Sequence, residues 1–138
     1  MRSKNKQRGF TLIEIMVVVV ILGLLGTLMA QTLLDKPHKA RVTKAQSDIS
    51  AIENALKFYK LDNFTYPSSA QGLKALNANP GSSKNWSGPY LEKLTKDPWG
   101  NDYQYRYPGT KGGKVDIYSF GADGSEGGTD EAADIGNW

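Results

Sequence analysis

With 138 residues and a mass of 15.1 kDa, the chain has room for one domain, or for one small domain with an appended segment. It has no cysteine and a single histidine, His38, which excludes disulfides and thiolate metal sites and argues against a multi-histidine metal centre or a Ser/His triad. The formal net charge of +3 includes +4 from residues 1–9, so the rest of the chain sums to −1, and the composition predicts no nucleic-acid partner.

An apolar run follows the basic leader. Residues 10–30 read FTLIEIMVVVVILGLLGTLMA, and as a helix they would be about 32 Å long, enough to cross a hydrocarbon core of about 30 Å. The run exceeds the apolar region of about 7–15 residues in a secretory signal peptide, and no clear small-residue cleavage site closes it. We expect a retained transmembrane helix with a cytoplasmic N-terminus. Charge favours this orientation only modestly, because the residues after the run are also net positive.

Glu14 is the unusual residue of this run. A carboxylate at the centre of a membrane helix costs about 2.5–3.5 kcal/mol, and less when it lies near the end of the span, as Glu14 does. Two interpretations remain open from the residues alone. Glu14 either reaches the lipid headgroups, or pairs with a cation that another chain or a new N-terminus supplies.

An amphipathic helix is predicted over about residues 38–62. Apolar side chains recur there at steps of three and four, which places them in one stripe. We expect this stripe to pack in the core against a sheet. Its members are Val42, Ala45, Ile49, Ile52, Leu56 and Tyr59.

The remaining chain is predicted to contain short elements and loops. Tyr66 and Pro67 end the helix, and residues 77–89 are rich in turn formers and predict a surface loop. Residues 103–107 and 114–120 predict two strands within a β-region at 103–120. A helix followed by strands indicates an α+β class.

The C-terminal residues 121–138 form a predicted acidic loop. They contain many glycines, five carboxylates and no basic residue. Calcium prefers about 6–8 oxygen ligands, but the spacing does not match an EF-hand, so a calcium site and a solvated acidic loop remain equal alternatives. Two of Asp97, Asp102 and Asp123 would be needed for a catalytic carboxylate pair, but Asp97-Pro98-Trp99-Gly100 is interpreted more simply as a turn, and no enzyme is expected.

Residues 8–14, Arg-Gly-Phe-Thr-Leu-Ile-Glu, resemble the class III signal of type IV pilins and their relatives. The resemblance implies that a prepilin peptidase cleaves between Gly9 and Phe10 and methylates the new amine of Phe10. In a staggered assembly, Glu14 of one subunit would neutralise the Phe10 amine of its neighbour, because two groups that are each costly in lipid are tolerated as a pair.

Later motifs are similar to those of the major pseudopilins of type II secretion systems: Tyr59-Lys60-Leu61-Asp62-Asn63, Tyr66-Pro67, Gln71-Gly72-Leu73, Asp97-Pro98-Trp99-Gly100-Asn101-Asp102-Tyr103 and Ala133-Asp134-Ile135-Gly136-Asn137-Trp138. The resemblance implies a pilin-like fold, with a long N-terminal helix packed on a small antiparallel sheet. It also implies a homopolymeric periplasmic filament that drives the export of folded proteins, anchored in the Gram-negative inner membrane. Its expected partners are minor pseudopilins, the prepilin peptidase, the inner-membrane assembly platform and membrane lipid.

The sequence departs from this family's pattern at one place. The family commonly has a proline near the end of the span, about where Gln31 lies, whereas the first proline here is Pro37. Proline weakens a helix interior by about 3 kcal/mol. A weak point of the helix is therefore expected either near Pro37 or at Gly23 and Gly26.

The resemblance also implies one calcium ion in the acidic loop. Asp123 and Asp134 lie in the matching segments and are the main expected ligands, with Ser125 and Asp130 as further ones and carbonyls around Ser119–Phe120 completing the shell. Two other functions stay open: a type IV pilin for adhesion or motility, and a membrane-anchored calcium-dependent binding module that keeps its leader.

Overall fold

The computed structural model describes residues 9–138, and of residues 31–36 it describes the backbone only. The expected basic leader, apart from Gly9, lies outside the described residues. The chain divides at Pro37 into two compact units, the second of which is His38–Trp138. Each unit is taken by itself below.

One helix, α1, extends over Leu12–Asn63 and includes Pro37. Its segment Leu12–Ala30 has a mean hydropathy of 2.7 and no buried residue, and it is long and apolar enough to cross a membrane. The helix is continuous at Gly23 and Gly26. A weak point at these glycines or at Pro37 therefore stays a prediction about the assembled filament.

The second half of α1 supplies the core of the second unit. The predicted stripe is confirmed: Ala45, Ile49, Ile52, Leu56 and Tyr59 are buried, and Val42 is half-buried. These side chains meet the sheet and a short 3₁₀ helix at Leu73–Leu76. The partners that pack with the stripe in one cluster are Leu73, Ala75, Leu76, Tyr103, Val115 and Ile117.

The sheet has three antiparallel strands in the order β1-β2-β3. Strand β1 is Gln104–Arg106, β2 is Asp116–Ser119 and β3 is Ile135–Gly136. Strands β1 and β2 fall within the two predicted strand segments. The predicted α+β class, with a long helix on a small antiparallel sheet, is confirmed.

Strand β3 corrects the interpretation of residues 121–138 as a continuous loop. It has only two residues, too few to show an alternating pattern. The side chain of Asn137 extends the pairing by accepting from the Ile117 N–H at 3.1 Å and donating to the Val115 carbonyl at 3.1 Å. Because part of the pairing with β2 comes from this side chain and not from backbone groups, residues 135–138 show no alternation of apolar and polar residues that would predict a strand.

Residues 77–89 form turns without a helix or strand, as the composition indicates. Side chains in and beside this loop bind it to the core. The Trp86 indole N–H donates to the Ala75 carbonyl at 2.8 Å, and the Tyr90 hydroxyl donates to Asp62 on α1 at 2.8 Å. The loop therefore has fixed anchors.

Candidate functional site

The start of α1 is closed by a pair of reciprocal hydrogen bonds. The Glu14 N–H donates to Thr11 Oγ1 at 3.3 Å, and the Thr11 N–H donates to Glu14 Oε2 at 3.4 Å. Because helical residues begin at Leu12, Thr11 is the N-cap and Glu14 the third helical residue, which is the arrangement of a capping box. The carboxylate also lies at the positive end of the helix dipole.

Sequence analysis missed this role of Glu14, although the spacing Thr-x-x-Glu before an apolar run is a known helix-start signal. The box gives Glu14 a partner within its own chain. Only Oε2 takes part in it, so Oε1 is left for a second partner. Glu14 can therefore cap its helix and accept a cation at the same time.

Gly9 and Phe10 lie just outside the helix and are both exposed. Phe10 is 79% exposed, and a Cβ added at Gly9 would meet no atom of residues 9–138 within 4 Å. Within these described residues, the peptide bond between Gly9 and Phe10 is therefore accessible.

The acidic loop is built on two single-turn 3₁₀ helices, Gly121–Asp123 and Asp130–Ala132. The first helix approaches the second where Gly121 lies close to the backbone of residues 131–133. Gly121 has φ +71°, and a Cβ there would lie 2.7 Å from the Ala133 carbonyl oxygen. A glycine at this position lets the segments that hold Asp123 and Asp134 come together.

The four predicted metal ligands lie in this loop with different surroundings. Asp123 Oδ1 accepts from the Ser125 N–H at 3.0 Å, and the side chain of Ser125 is exposed. Asp130 is exposed at φ +52°, where a non-glycine residue is uncommon. Asp134 is half-buried, and its Oδ2 accepts from the Gly127 N–H at 2.9 Å.

Asp134 Oδ1 is the atom that bears most directly on a cation. It is buried and has no hydrogen-bond partner among the described residues. An unpaired buried polar atom costs about 1–3 kcal/mol, and more when it is charged. In residues 9–138, side chains of 31–36 aside, no three acidic or histidine side chains form a metal-holding group. The residues therefore fit a calcium ion only if backbone carbonyls supply part of its shell.

A buried chain of hydrogen bonds connects the loop to the core. Asp97 is 4% exposed, and its Oδ1 accepts from the N–H groups of Trp99 and Asn101 at 3.0 and 2.8 Å. The Ser119 hydroxyl donates to Asp97 Oδ2, and Ser119 Oγ accepts from the Gly121 N–H at 3.1 Å. Asp97, which the sequence indicated only as a turn residue, thus fixes the first residue of the acidic loop.

The carboxylates considered for catalysis are engaged elsewhere. Both oxygens of Asp97 accept hydrogen bonds within the buried chain just described. Asp102 is exposed and pairs with Lys96 at 2.7 Å. Asp97 therefore has no oxygen without a hydrogen-bond partner, whereas Asp102 is a solvent-exposed carboxylate with one oxygen in an ion pair.

Two protein-family models match this chain, one over its N-terminal segment and one over the rest. The family model "Type II secretion system (T2SS), protein G" matches residues 32–138, and the model "Prokaryotic N-terminal methylation motif" matches residues 4–30. The type II secretion system core protein G of Pseudomonas aeruginosa is 58% identical over 140 residues, which cover 99% of this chain and 98% of that protein. The protein of the same name from Vibrio cholerae is 53% identical over 141 residues, which cover 100% of this chain and 96% of that protein.

A solved structure shares the fold as well. The crystal structure of the major pseudopilin from the type 2 secretion system of enterohaemorrhagic Escherichia coli is 40% identical and has a TM-score of 0.65. The match covers 77% of this chain and 93% of that one. Together with the profile over residues 32–138, these relatives show that the chain belongs to the type II secretion system protein G family, the family of the major pseudopilins.

Proposed function

We propose that the chain is the major structural subunit of a type II secretion pseudopilus, which polymerises into a periplasmic filament and drives folded proteins across the outer membrane. The observation that supports this most directly is the exposed apolar surface of the helix in the first unit. Leu12–Ala30 is an apolar helix segment with no buried residue, and a capping box closes its start. An apolar surface of that length requires lipid or other copies of the helix to cover it.

Processing of the N-terminus follows from the same segment. A prepilin peptidase would cleave the open bond between Gly9 and Phe10 and methylate the Phe10 amine. The amine then lies at the membrane edge, and Glu14 Oε1 of a neighbouring subunit can accept it while Oε2 keeps its hydrogen bond to the Thr11 N–H. Pairing of the amine with the carboxylate offsets the cost of placing each charge in lipid. This pairing would favour assembly, because either charge without its partner is unfavourable there.

The topology belongs to the same proposal. Leu12–Ala30 would cross the inner membrane once, with the N-terminus in the cytoplasm and His38–Trp138 in the periplasm. Partners would be further copies of the chain, minor pseudopilins, the peptidase and the inner-membrane assembly platform. The buried Asp97, whose two carboxylate oxygens both accept hydrogen bonds, favours a structural role for this carboxylate over a catalytic one.

We also propose one structural calcium ion in the acidic loop. Asp123 and Asp134 would hold it, with Ser125 and Asp130 and backbone carbonyls around Ser119–Phe120 as further oxygen donors. The unpaired, buried Asp134 Oδ1 and the close approach at Gly121 support the site. When bound, calcium supplies a divalent positive charge that offsets repulsion among the loop carboxylates.

A deletion strain tests the function. Loss of the gene should abolish release of exoproteins while twitching and surface attachment persist, and the wild-type gene should restore release. The reverse pattern would instead favour a type IV pilin. Mass spectrometry of the chain from its membrane separates the remaining alternative, because a binding module that keeps its leader would show an intact Met1.

A further inference from the structure

The C-terminal end of α1 exposes apolar side chains beside lysines. Lys57, Lys60, Leu61, Phe64 and Tyr66 line an open groove of about 450 Å³, named here the Tyr66 groove. Lys57, Lys60 and Leu61 are spaced as i, i+3 and i+4 and so follow one face of α1, and Phe64 comes directly after the helix end. Leu61 is 70% exposed and Phe64 81%.

Phe64 has a strained backbone as well as an exposed ring. It lies directly after the helix end at φ +62°, a conformation that bulky residues rarely adopt. A strained residue with an apolar ring facing solvent is typical of a position held for binding. Tyr66 lines the same groove, and the Lys60 ammonium is 4.8 Å from the centroid of the Tyr66 ring.

The groove has a positive rim. Lys114 joins Lys57 and Lys60 around Tyr66, since the same ring borders two adjoining clefts that Lys114 also lines. The acid that lines this surface is Glu53, which is 3.8 Å from Lys57. An occupant that complements the groove must therefore be acidic and must cover a small apolar floor.

The carboxylates of the acidic loop of the same chain have the complementary charge, but the loop segment around Glu131 lies beside His38, far along α1 from the groove. Glu131 Oε1 is 3.8 Å from His38 Nδ1, at the start of the second unit. Lys57 and Lys60 follow His38 by 19 and 22 residues, which is about 28–33 Å along a helix. A loop held beside His38 therefore cannot fill the groove of its own chain.

We propose that the Tyr66 groove binds the acidic loop of a second copy of this chain, with Glu126 facing Lys57, Lys60 and Lys114. Glu126 is exposed and is not an expected calcium ligand. A Cβ added at the neighbouring Gly127 would meet no atom of the described residues within 4 Å, so the loop backbone can approach the ring of Phe64. This inference rests on the proposed filament and names a contact within it.

The position of the two surfaces explains why such a contact builds a filament. The groove and the loop segment around Glu131 are different patches, separated by the helix length between His38 and Lys57, so the contact is head to tail. A head-to-tail interface leaves a free groove at one end and a free loop at the other, and it continues into an open helical polymer. Lysine–carboxylate pairs at its rim would fix which copies meet and in which register.

Cysteine cross-linking in filaments tests the contact, because the wild-type chain has no cysteine. The doubly substituted chain Lys60→Cys/Glu126→Cys, produced with the rest of the secretion apparatus, should give a ladder of disulfide-linked multimers on mild oxidation. Lys84→Cys/Glu126→Cys, with an exposed lysine outside the groove, is the matched control and should give none. Filaments that form without the ladder overturn the contact and leave the filament function intact. Absence of filaments from the wild-type chain overturns both.

Charge reversal supplies a second readout. Lys60→Glu and Glu126→Lys should each lower filament yield by about tenfold, the effect of about 1.4 kcal/mol. Combining both changes in one chain should restore the yield, and Lys84→Glu should leave it unchanged. If only the lysine reversal acts and the combined chain stays defective, the groove binds another acid, such as an anionic lipid headgroup, and the proposal is wrong.

Discussion

The Ser119 hydroxyl and the Asp97 carboxylate, 22 residues apart in sequence, form a fully buried hydrogen bond with Oγ and Oδ2 2.5 Å apart. Ser119 is the last residue of β2, and its oxygen also accepts from the Gly121 N–H, the first residue of the acidic loop. The rigid sheet thereby positions the loop that is expected to hold calcium. Hydrogen bonds of this kind outside a metal's own ligands hold those ligands in the orientation that binding requires.

Replacement of Ser119 by alanine should destabilise the loop and the core. The change leaves Asp97 Oδ2 buried without a partner, at a cost of about 1–3 kcal/mol. Thermal unfolding of the full chain in detergent should show a lower midpoint, and hydrogen exchange at the Gly121 N–H should accelerate. Ser47→Ala, on the exposed face of α1, is the control and should change stability by less than about 0.5 kcal/mol. Equal midpoints for the two variants would contradict the role of this bond.

Gly121→Ala should be more damaging than alanine at another glycine with positive φ. Both Gly121, at φ +71°, and Gly81, at φ +84°, have a backbone that alanine adopts at a cost of about 1–3 kcal/mol. Only Gly121 also faces a carbonyl oxygen that its Cβ would approach to 2.7 Å. We expect a larger drop in the unfolding midpoint for Gly121→Ala than for Gly81→Ala. A reversed order would show that the close approach of the two loop segments is unimportant.

Calcium should raise the thermal midpoint of the full chain in detergent, and a chelator should lower it. A ligand at about one hundred times its Kd stabilises the folded state by about 2.7 kcal/mol. Asp123→Asn and Asp134→Asn should each remove the difference between the two conditions. Glu126→Gln, an exposed loop carboxylate outside the expected ligand set, should keep it. Identical midpoints for the wild-type chain with calcium and with chelator would rule out a structural ion.

Asp116 should make stability depend on acid. Burial alone raises the pKa of its carboxyl, but hydrogen bonds from Thr110 and from the Lys111 N–H more than compensate and lower the pKa below its ordinary value. The folded state therefore holds the proton less tightly than the unfolded chain. The stabilisation is complete above the unfolded pKa of about 3.9 and is lost as pH falls through the lower folded pKa.

Urea unfolding of the wild-type chain and of Asp116→Asn at a series of pH values checks this dependence. Below pH of about 4, the wild-type free energy of unfolding should fall more steeply than that of Asp116→Asn. Asp102→Asn, at an exposed carboxylate, is the control and should keep the wild-type slope. Parallel curves for wild type and Asp116→Asn would show that Asp116 does not contribute.

Local and periodic features of the molecule could be predicted from the sequence, and contacts between distant residues could not. The stripe from Ala45 to Tyr59 is visible because burial repeats with the helical period. The bond between Asp97 and Ser119 has no such signature, since it joins a turn to a strand end. Strand β3 was hidden because the side chain of Asn137 supplies part of its pairing.

In the candidate site, too, local features could be predicted from the sequence and contacts between distant residues could not. Gly9, Phe10 and Glu14 could be selected from the sequence because they belong to one short, continuous motif. The Thr11–Glu14 capping box was equally local and was readable from its spacing. In the acidic loop, composition identified the carboxylates. It could not show that Asp134 Oδ1 is buried without a partner, because that depends on how the loop folds back at Gly121.

The central claim is that the charge of Glu14, beyond its capping role, joins subunits in the membrane, and filament assembly by Glu14→Gln tests it most directly. Glutamine keeps the capping box, because its side-chain oxygen can still accept from the Thr11 N–H. It removes only the negative charge that would accept the neighbouring Phe10 amine. We predict correctly cleaved subunits that fail to form filaments and fail to export protein, whereas Thr11→Ser, which keeps the cap, should assemble normally. Filaments and export at wild-type levels from Glu14→Gln would contradict the account.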